Sequence, residues 1–386
     1  MIEKLKYFPV HWIDGMKINK GHFTDIQNFI SDSVRDSTCI RTSLVDYGIL
    51  PSGDTIMVSM SIDQHKLLKV VLEECQAITP NGSRIDIGTH YAGFSEHTLL
   101  HPDTSYLIND EEDINLMVCV SVNHFNRIPF GEPDPDENPP RYPYTQPKYS
   151  LELIPESELR GGLGFGAEYL TVGRIKASAG VCTMDDDYIP PCLSVSSHPK
   201  LKKLYVEIDR FYSQIELFAS QIKQKIRAKK QNNLLSLIVD DLADKALWYL
   251  GSEINRYRWS APYASPMYML SSVIALGRII KNCIETYTGS GKEELLNYLT
   301  EWCNISQGDF ESIFSEVLNA EYNHNQIGSA ILKIDRFIKT VEEMFSILNQ
   351  LDYIGKKRDG SIFISENPGN RDAIVHSKRS QSFLAD

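Results

Sequence analysis

Residues 187–201 read DYIPPCLSVSSHPKL and separate two kinds of sequence. Strand signals recur before this stretch, and almost none follow it. Ser197 fits the N-cap of a helix and Pro199 fits its first turn, because proline needs no N–H partner there. The stretch therefore predicts a boundary between a β-rich half and a helical half.

The formal charge changes at the same boundary. The 386 residues carry 39 Lys+Arg and 51 Asp+Glu, a net charge of -12. Residues 1–195 hold 15 basic and 28 acidic side chains, whereas residues 196–386 hold 24 and 23. The acidity is thus confined to the first half, which favours two domains of different build. An acidic chain also disfavours sequence-independent nucleic-acid binding, which needs clustered cations.

Composition also bears on location. Seven cysteines without a CxxC pair are typical of reduced thiols in the cytosol. The first residues lack the apolar core of a signal peptide, and no run reaches the ~18–20 apolar residues of a membrane span. The sequence predicts a soluble, cytoplasmic protein without direct membrane insertion.

Residues 1–195 have the pattern of β structure. Short β-branched and apolar runs alternate with turn signals, over residues 55–62, 67–72, 84–87, 114–122, 148–154 and 169–175. Such short strands favour a β-sandwich. One helix is predicted over His22–Arg41, with Phe23, Ile26, Phe29 and Ile30 on its apolar face. Pro129–Pro147 holds seven prolines and is predicted to be a long exposed loop.

The second half has a helical period. Its first helix repeats apolar residues in steps of 3 and 4, the a/d seam of a coiled coil. The seam residues are Leu201, Leu204, Ile208, Phe211, Ile215, Phe218 and Ile222. This seam can close within one chain or between copies, and the pattern fits both. Further helices are predicted over residues 233–257, 266–287, 292–303, 307–322 and 326–353.

Together these patterns predict an α+β multidomain protein. Residues 1–195 would form a β-sandwich domain and residues 196–290 a helical neck bundle. Residues 291–354 would form a C-terminal helical region, followed by a polar tail over residues 355–386 with the composition of a disordered segment.

The sequence gives little support for catalysis or for phosphate or metal binding. Gly161–Gly166 lacks the Lys-Ser/Thr of a P-loop. His90, His97 and His101 form the densest histidine cluster, but Pro102 favours a turn, where i,i+4 spacing no longer places ligands together. Lys223–Lys230 is a basic run at a helix end, interpreted as solvated. We predict no catalytic residue, metal or cofactor. A metal-dependent enzyme that uses the three histidines is an alternative.

A first motif lies near the N-terminus. VHWIDGM at residues 10–16 is followed by Gly21-His22-Phe23 and, after the predicted helix, by Tyr47-Gly48-Ile49. This order resembles the opening of the TssK family, the baseplate subunits of type VI secretion systems. The chain departs from the family at Lys20-Gly21, where Pro-Gln is usual.

A second motif spans the boundary. VGRI at residues 172–175 precedes residues 187–201, and this order is similar to the Y-I-P-P-C-L hallmark that leads into the family's neck. The two motifs and their surroundings cover about residues 5–290. After Tyr287 the pattern stays helical to Tyr353, so the family's β-rich C-terminal head is expected to be replaced by helices or missing.

The resemblance implies a structural adaptor and not an enzyme. In this family a β-sandwich shoulder, similar to that of phage receptor-binding proteins, precedes a helical neck, and three copies form a homotrimer. The shoulder seats the trimer on the TssF/TssG wedge, and the C-terminal head links the baseplate to membrane-complex proteins. A phage-type receptor-binding or tail protein is the main alternative.

The resemblance also assigns candidate residues. Those of the shoulder, candidates for the wedge contact, are Trp12, Asp14, Gly15, Met16, His22 and Phe23. Those of the shoulder–neck junction are Tyr188, Ile189, Pro190, Pro191, Leu193, Ser197 and Pro199. The seam residues would then belong to the neck and to the trimer contact.

Overall fold

The structure is a computed structural model, and it describes residues 4–51, 56–88, 101–109, 113–159, 167–178, 180–287, 290–303 and 305–355. Within these ranges the fold is mixed α+β. The strands are β1 Gly48–Ile49, β2 Met57–Ile62, β3 Leu67–Ile78, β4 Arg84–Ile87, β5 Asp103–Leu107, β6 Ile114–Phe130, β7 Tyr144–Pro155, β8 Tyr169–Ser178 and β9 Val181–Met184. The helices are α1 Lys20–Cys39, α2 Pro199–Ala228, α3 Leu234–Ser260, α4 Pro266–Thr286, α5 Ser290–Cys303, α6 Gln307–Leu318 and α7 Ile327–Gln350.

The strands form two antiparallel sheets. In the first, β3 is central and pairs with β1, β2, β4 and β5, and in the second the order is β7-β6-β8-β9. Along β3, Leu68, Val70 and Leu72 are buried while Lys69 points outward, the period of two expected of a half-buried strand. The two sheets share one apolar core and meet at β5 and β7. Their face-to-face stacking as a sandwich stays a prediction.

The loop in the proline-rich stretch is shorter than the predicted Pro129–Pro147 loop. Strand β6 continues to Phe130 and β7 begins at Tyr144, so only residues 131–143 connect them. Pro147 lies within β7, opposite Arg127. Because β7 is at the edge of its sheet, a residue without an N–H can stand there without removing a central ladder bond.

The helices of the second half pack as one bundle. Helix α2 packs on α3 and α7, α3 packs on α4, and α6 packs on α7. The predicted N-cap of α2 was wrong by one residue: His198 caps it through its Nδ1, which accepts from Lys200 N at 3.2 Å. Ser197 instead bonds Ser194 in the short turn before the helix.

Lys223 corrects the interpretation of the basic run. Its side chain is buried between α2 and α3, and its Nζ lies 3.1 Å from Asp240 Oδ2 and 2.9 Å from Asp244 Oδ1. Arg227, Lys229 and Lys230 are exposed, while Lys225 is half-buried and its Nζ donates to Asn349 O. Lys223 is therefore a member of the bundle interior, where the two carboxylates offset its desolvation.

Helix α4 is long and apolar enough to cross a membrane by length and composition. Its apolar character has another explanation in the fold, because Met269, Val273, Leu276 and Ile280 are fully buried in the bundle. A core helix of a soluble protein has the same composition.

Candidate docking surface on the N-terminal helix

Helix α1 turns polar side chains toward the rest of the protein. Asp32 and Arg35 are 0% and 3% exposed, whereas Phe23, Ile30 and Val34 are 57%, 54% and 63% exposed. The three apolar residues are spaced by seven and four, so they lie on one face. A helix that packs on a core normally has the opposite pattern. The outer face of α1 therefore has the composition of a surface that another molecule covers.

A buried ion pair explains why the polar face can lie inward. Arg35 Nε donates to Asp32 Oδ1 at 2.9 Å, and Arg35 Nη1 donates to Asn81 O at 3.4 Å. Asp32 Oδ2 accepts from the backbone N–H groups of Lys6 and Tyr7, the latter at 3.1 Å. Burial acts to raise the pKa of Asp32, but these N–H groups and the guanidinium outweigh it and lower that pKa. Asp32 is thus ionised and fixes the N-terminal segment to α1.

The N-terminal segment runs along α1. Tyr7 N bonds Asp32, and the Trp12 ring meets the edge of His22 with centroids 5.7 Å apart. The segment therefore returns from the middle of the helix to its start. The exposed apolar residues of the segment and of the helix form what we call the α1 surface: Phe8, Trp12, Ile13, Ile18, Phe23, Ile30 and Val34.

The first motif shapes the entry to this surface. Gly15 has φ +77° in the turn closed by Met16 N and Ile13 O. Asn19 and His22 form a reciprocal capping box, in which His22 N donates to Asn19 Oδ1 at 3.3 Å. Trp12, Asp14, Gly15 and Phe23 are exposed, while Met16 and His22 are half-buried. The structure thus brings the motif to the start of α1, with its aromatic rings outward.

The sequence reasoning missed Ile30 and Val34 as surface residues. It took Ile30 as part of the buried face, but Ile30 is exposed. The signal was a polar stripe at Asn28, Asp32 and Arg35, spaced by four and three, which marks the face that actually lies inward.

The second motif is internal. Tyr188, Ile189, Pro190 and Pro191 are buried, and Leu193 and Ser197 are half-buried, while Pro199 is exposed at the start of α2. Tyr188 Oη lies 2.9 Å from Thr171 Oγ1 and 3.2 Å from Asn325 O. The junction residues therefore join the sheets to the loop between α6 and α7. Their surroundings indicate a structural role.

The two motifs meet at Gly48. Ile49 N donates to Pro191 O at 2.8 Å, and Leu193 N donates to Ile49 O at 3.0 Å. Gly48 has φ +108°, and a Cβ there would lie 2.1 Å from Pro191 O. Only glycine fits this approach.

We expect Gly48→Ala to destabilise the fold by at least about 2–3 kcal/mol, because it adds both a clash and a strained φ. Chemical denaturation measures the loss. Gly308→Ala in α6 is a matched control, since its nearest neighbour lies at 3.9 Å. Equal stability of the two variants would contradict the expected clash.

His324 holds the α6–α7 loop against the first sheet. Its ring is buried, Nε2 lies 3.0 Å from Tyr47 O, and Nδ1 lies 2.7 Å from Tyr322 Oη. With the proton on Nε2, the ring donates to the carbonyl and accepts from the tyrosine hydroxyl. Burial lowers the pKa of His324 below its ordinary value, against the weaker opposing effects of Tyr47 O and Asp46. Neutral His324 therefore fits the site.

This buried histidine predicts acid sensitivity. In the unfolded chain the histidine takes a proton near pH 6.5. Because the folded pKa is lower, stability is complete above about pH 6.5 and falls as the pH drops below it. We expect thermal melts from pH 7.5 to 5 to show a shallower loss for His324→Gln than for the unmodified chain. The exposed His65→Gln should keep the full slope, and parallel curves for all three chains would contradict this role.

The predicted seam closes inside one chain. Leu201, Leu204, Ile208, Phe211, Ile215 and Ile222 are buried and Phe218 is half-buried, all within a single copy. Their neighbours are α3 and α7 of the same chain. Of the two arrangements that the pattern allowed, the structure contains the intramolecular one. A side chain that is already buried offers no surface to a second copy.

Metal chemistry gains no support within the described ranges. His90, His97 and Gly161–Gly166 lie outside them, and His101 Nδ1 lies 3.1 Å from Glu73 O. Among the described residues, no group of three or more His, Cys, Asp or Glu could hold a metal ion. Burial raises the pKa of the Cys192 thiol, which makes it a poor nucleophile.

Comparison with known proteins finds a family model and solved structures that are similar to this chain. Residues 136–246 match the family model T6SS_VasE, described as "Bacterial Type VI secretion, VC_A0110, EvfL, ImpJ, VasE". The match includes the second motif and the start of the bundle. A solved structure titled "The baseplate complex from the type VI secretion system" has the same fold, with a TM-score of 0.51 and 15% identity over 88% of this chain and 99% of that chain. The matched segment is thus similar to the TssK family of type VI secretion baseplate proteins.

Two further structures are similar at lower scores. "Crystal structure of TssK" aligns at 14% identity over 89% of this chain and 73% of that chain, with a TM-score of 0.48. A TssK-TssF-TssG baseplate subcomplex aligns at 12% identity over 90% of this chain and all of that chain, with a TM-score of 0.42. No curated protein sequence is similar enough to count as a match.

The TssK family is a family of type VI secretion baseplate proteins and not an enzyme family. Its model covers the second motif but not the first, so Trp12–Phe23 lies outside the matched segment. Among the described residues after 195, the regular elements are all helical.

Proposed function

We propose that this chain is a structural adaptor of the TssK family that binds the TssF/TssG wedge through the α1 surface. The observation that carries the proposal is the inverted helix α1, whose apolar residues are exposed above a buried ion pair. Contiguous exposed apolar side chains on a soluble protein mark a binding surface. The family supplies the class of partner, and one matched structure is titled a TssK-TssF-TssG subcomplex.

The proposal includes the arrangement of the whole chain. Residues 1–195 would form a β-sandwich shoulder, residues 196–290 the neck, and residues 291–354 a further helical region. Three copies would assemble at the cytoplasmic face of the membrane, and the C-terminal helices would link the baseplate toward membrane-complex proteins. The change from sheets to helices at the second motif supports this division.

A pull-down from a native lysate tests the partner. We expect TssF and TssG to co-purify with the tagged chain and to be lost with Phe23→Glu plus Ile30→Glu. Both side chains are exposed, so the substitutions should leave the fold intact. Leu107→Glu on β5, equally exposed but outside the α1 surface, is the matched control and should keep the wedge.

Two results would contradict the proposal. Recovery of neither wedge protein by the unmodified chain would remove the assigned partner. Equal recovery by the α1 variant and the Leu107→Glu control would move the contact elsewhere.

A further inference from the structure

The end of the helical bundle that is remote from the sheets collects basic side chains. Helices α2 and α7 both start beside the sheets, where Lys200 Nζ binds Asp187 Oδ1 at 2.7 Å and Gln326 Nε2 donates to Glu156 Oε1 at 3.3 Å. Helix α2 has 30 residues and therefore spans about 45 Å. The basic run at its C-terminal end thus lies far from the sheets.

Part of this basic run has a structural role. Lys223 belongs to the bundle interior. Lys225 Nζ donates to Asn349 O and Lys229 Nζ donates to Asp352 O, at and just beyond the C-terminal end of α7. The carbonyl groups at a helix C-terminus carry partial negative charge, so cations stabilise them. The packing of the bundle therefore accounts for these three lysines.

Lys230 occupies a backbone position that favours glycine. Its φ is +49°, in the left-handed region, and it follows the last turn of α2, where Lys230 N donates to Arg227 O at 3.1 Å. Glycine is usual at this place because a Cβ is strained there. Lys230 and Arg227 are both exposed. A charged residue that is kept at a strained, exposed position indicates a use for the charge itself.

The C-terminal part of the chain reaches the same end of the bundle. Ile354 N donates to Gln231 Oε1 at 3.0 Å, and Gly355 N donates to Tyr298 Oη at 3.2 Å. These bonds fix the chain beside the turn that follows α2. From Gly355 the sequence continues with Lys-Lys-Arg. We call the basic residues of the turn and of this continuation the basic tip: Arg227, Lys230, Lys356, Lys357 and Arg358.

We propose that the basic tip binds the anionic lipid headgroups of the cytoplasmic membrane surface, without insertion into the bilayer. The assignment rests on the proposed function, which places the chain at this membrane, and it names the part of the chain that touches the lipid. Clusters of roughly four to eight Lys and Arg bind anionic membrane surfaces by charge, and each cation near the surface raises the affinity about fivefold. A lipid surface requires no matching shape, which suits cations from a turn and from a chain end.

The charge distribution of the chain favours this orientation. Residues 1–195 hold 28 acidic and 15 basic side chains, so the excess of acidic residues belongs to the half that contains the sheets. The Debye length of about 8 Å at physiological salt is much shorter than the roughly 45 Å of α2, so solvent ions screen the tip from this acidity. An anionic membrane therefore attracts the tip and repels the half that carries the α1 surface.

Co-sedimentation of the full chain with vesicles tests the assignment. We expect binding to vesicles of equal parts phosphatidylglycerol and phosphatidylcholine, no binding to pure phosphatidylcholine, and release from the anionic vesicles in high salt. The variant Lys230→Gly plus Lys356→Gln and Lys357→Gln should weaken this binding about 100-fold, since it removes three cations. Its melting temperature should equal or exceed that of the unmodified chain, because glycine suits the left-handed position.

The matched control removes three cations from the first part of the same helix. Lys202→Gln plus Lys203→Gln and Arg210→Gln changes exposed residues of α2 and lowers the net positive charge equally. This control variant should bind the anionic vesicles as the unmodified chain does.

Other results would overturn the lipid contact. No binding of the unmodified chain to the anionic vesicles removes the lipid and leaves an acidic protein segment as the partner that suits the tip. Equal binding to both kinds of vesicle indicates an apolar contact, and equal weakening of the tip and control variants moves the contact elsewhere. Wedge recovery on the same preparations separates the two proposals. A chain that binds the vesicles without recovering TssF or TssG contradicts only the proposed wedge partner, and the reverse result contradicts only the lipid contact.

Discussion

A chain that carries Phe211→Asp and Ile215→Asp is expected to lose the fold of its helical half. Both side chains are fully buried in α2, against α3 and α7 of the same copy. Each substitution removes about 2–5 kcal/mol of core packing and adds a buried carboxylate without a partner. The sum is comparable to the whole stability of a typical domain, about 5–15 kcal/mol. Circular dichroism should show a large loss of helix.

The matched control is on the outer face of the same helix. Val206→Asp plus Leu217→Asp introduces the same charges at exposed positions and should keep the helix content. Folded monomers from the Phe211/Ile215 variant would contradict the structure, because they would place the seam between copies.

Asp32→Ala is expected to destabilise the attachment of α1 by about 3–5 kcal/mol. The substitution leaves the Arg35 guanidinium buried without its carboxylate and frees the N–H groups of Lys6 and Tyr7. Breaking one partner of a buried ion pair has this cost because the remaining charge stays desolvated. Hydrogen exchange of α1 should rise far more than that of the bundle, and urea denaturation measures the loss.

Two further variants make the Asp32 prediction specific. Asp25→Ala removes an exposed carboxylate from the same helix and should change stability by less than about 0.5 kcal/mol. Asp32→Leu with Arg35→Met removes both charges, so it should recover much of the loss of Asp32→Ala. If Asp32→Ala behaves like Asp25→Ala, the ion pair does not hold α1.

The boundary between the halves was predictable because its signals are local. Pro199, the prolines of the second motif and the 3-4 step of the seam depend only on neighbours in the chain, and the structure begins α2 at Pro199. The predicted runs of β structure overlap β2, β3, β4, β6, β7 and β8 for the same reason, although β3, β6 and β7 extend beyond them. Strands β1, β5 and β9 were missed. Strand β1 has only two residues, which carry no period, and its partner Ala77 is distant in sequence.

The candidate surfaces were less predictable because their signals depend on tertiary contacts. The spacing of the apolar residues of α1 is typical of a face that packs on the core. The burial of Asp32 and Arg35 shows that the opposite face lies inward. The sequence pattern of the α2 seam fits a contact within one chain and a contact between chains equally well. The two can be distinguished only by the positions of α3 and α7, which cover the seam in the fold.

The most direct test of the proposed adaptor role is the equilibrium binding of the purified chain to purified TssF–TssG wedge. We expect the unmodified chain to bind, and Phe23→Glu plus Ile30→Glu to weaken binding at least 100-fold, since two hot-spot losses of about 2 kcal/mol each exceed that factor. Leu107→Glu should bind as the unmodified chain does. No binding by the unmodified chain, or equal affinity of all three chains, would contradict the account.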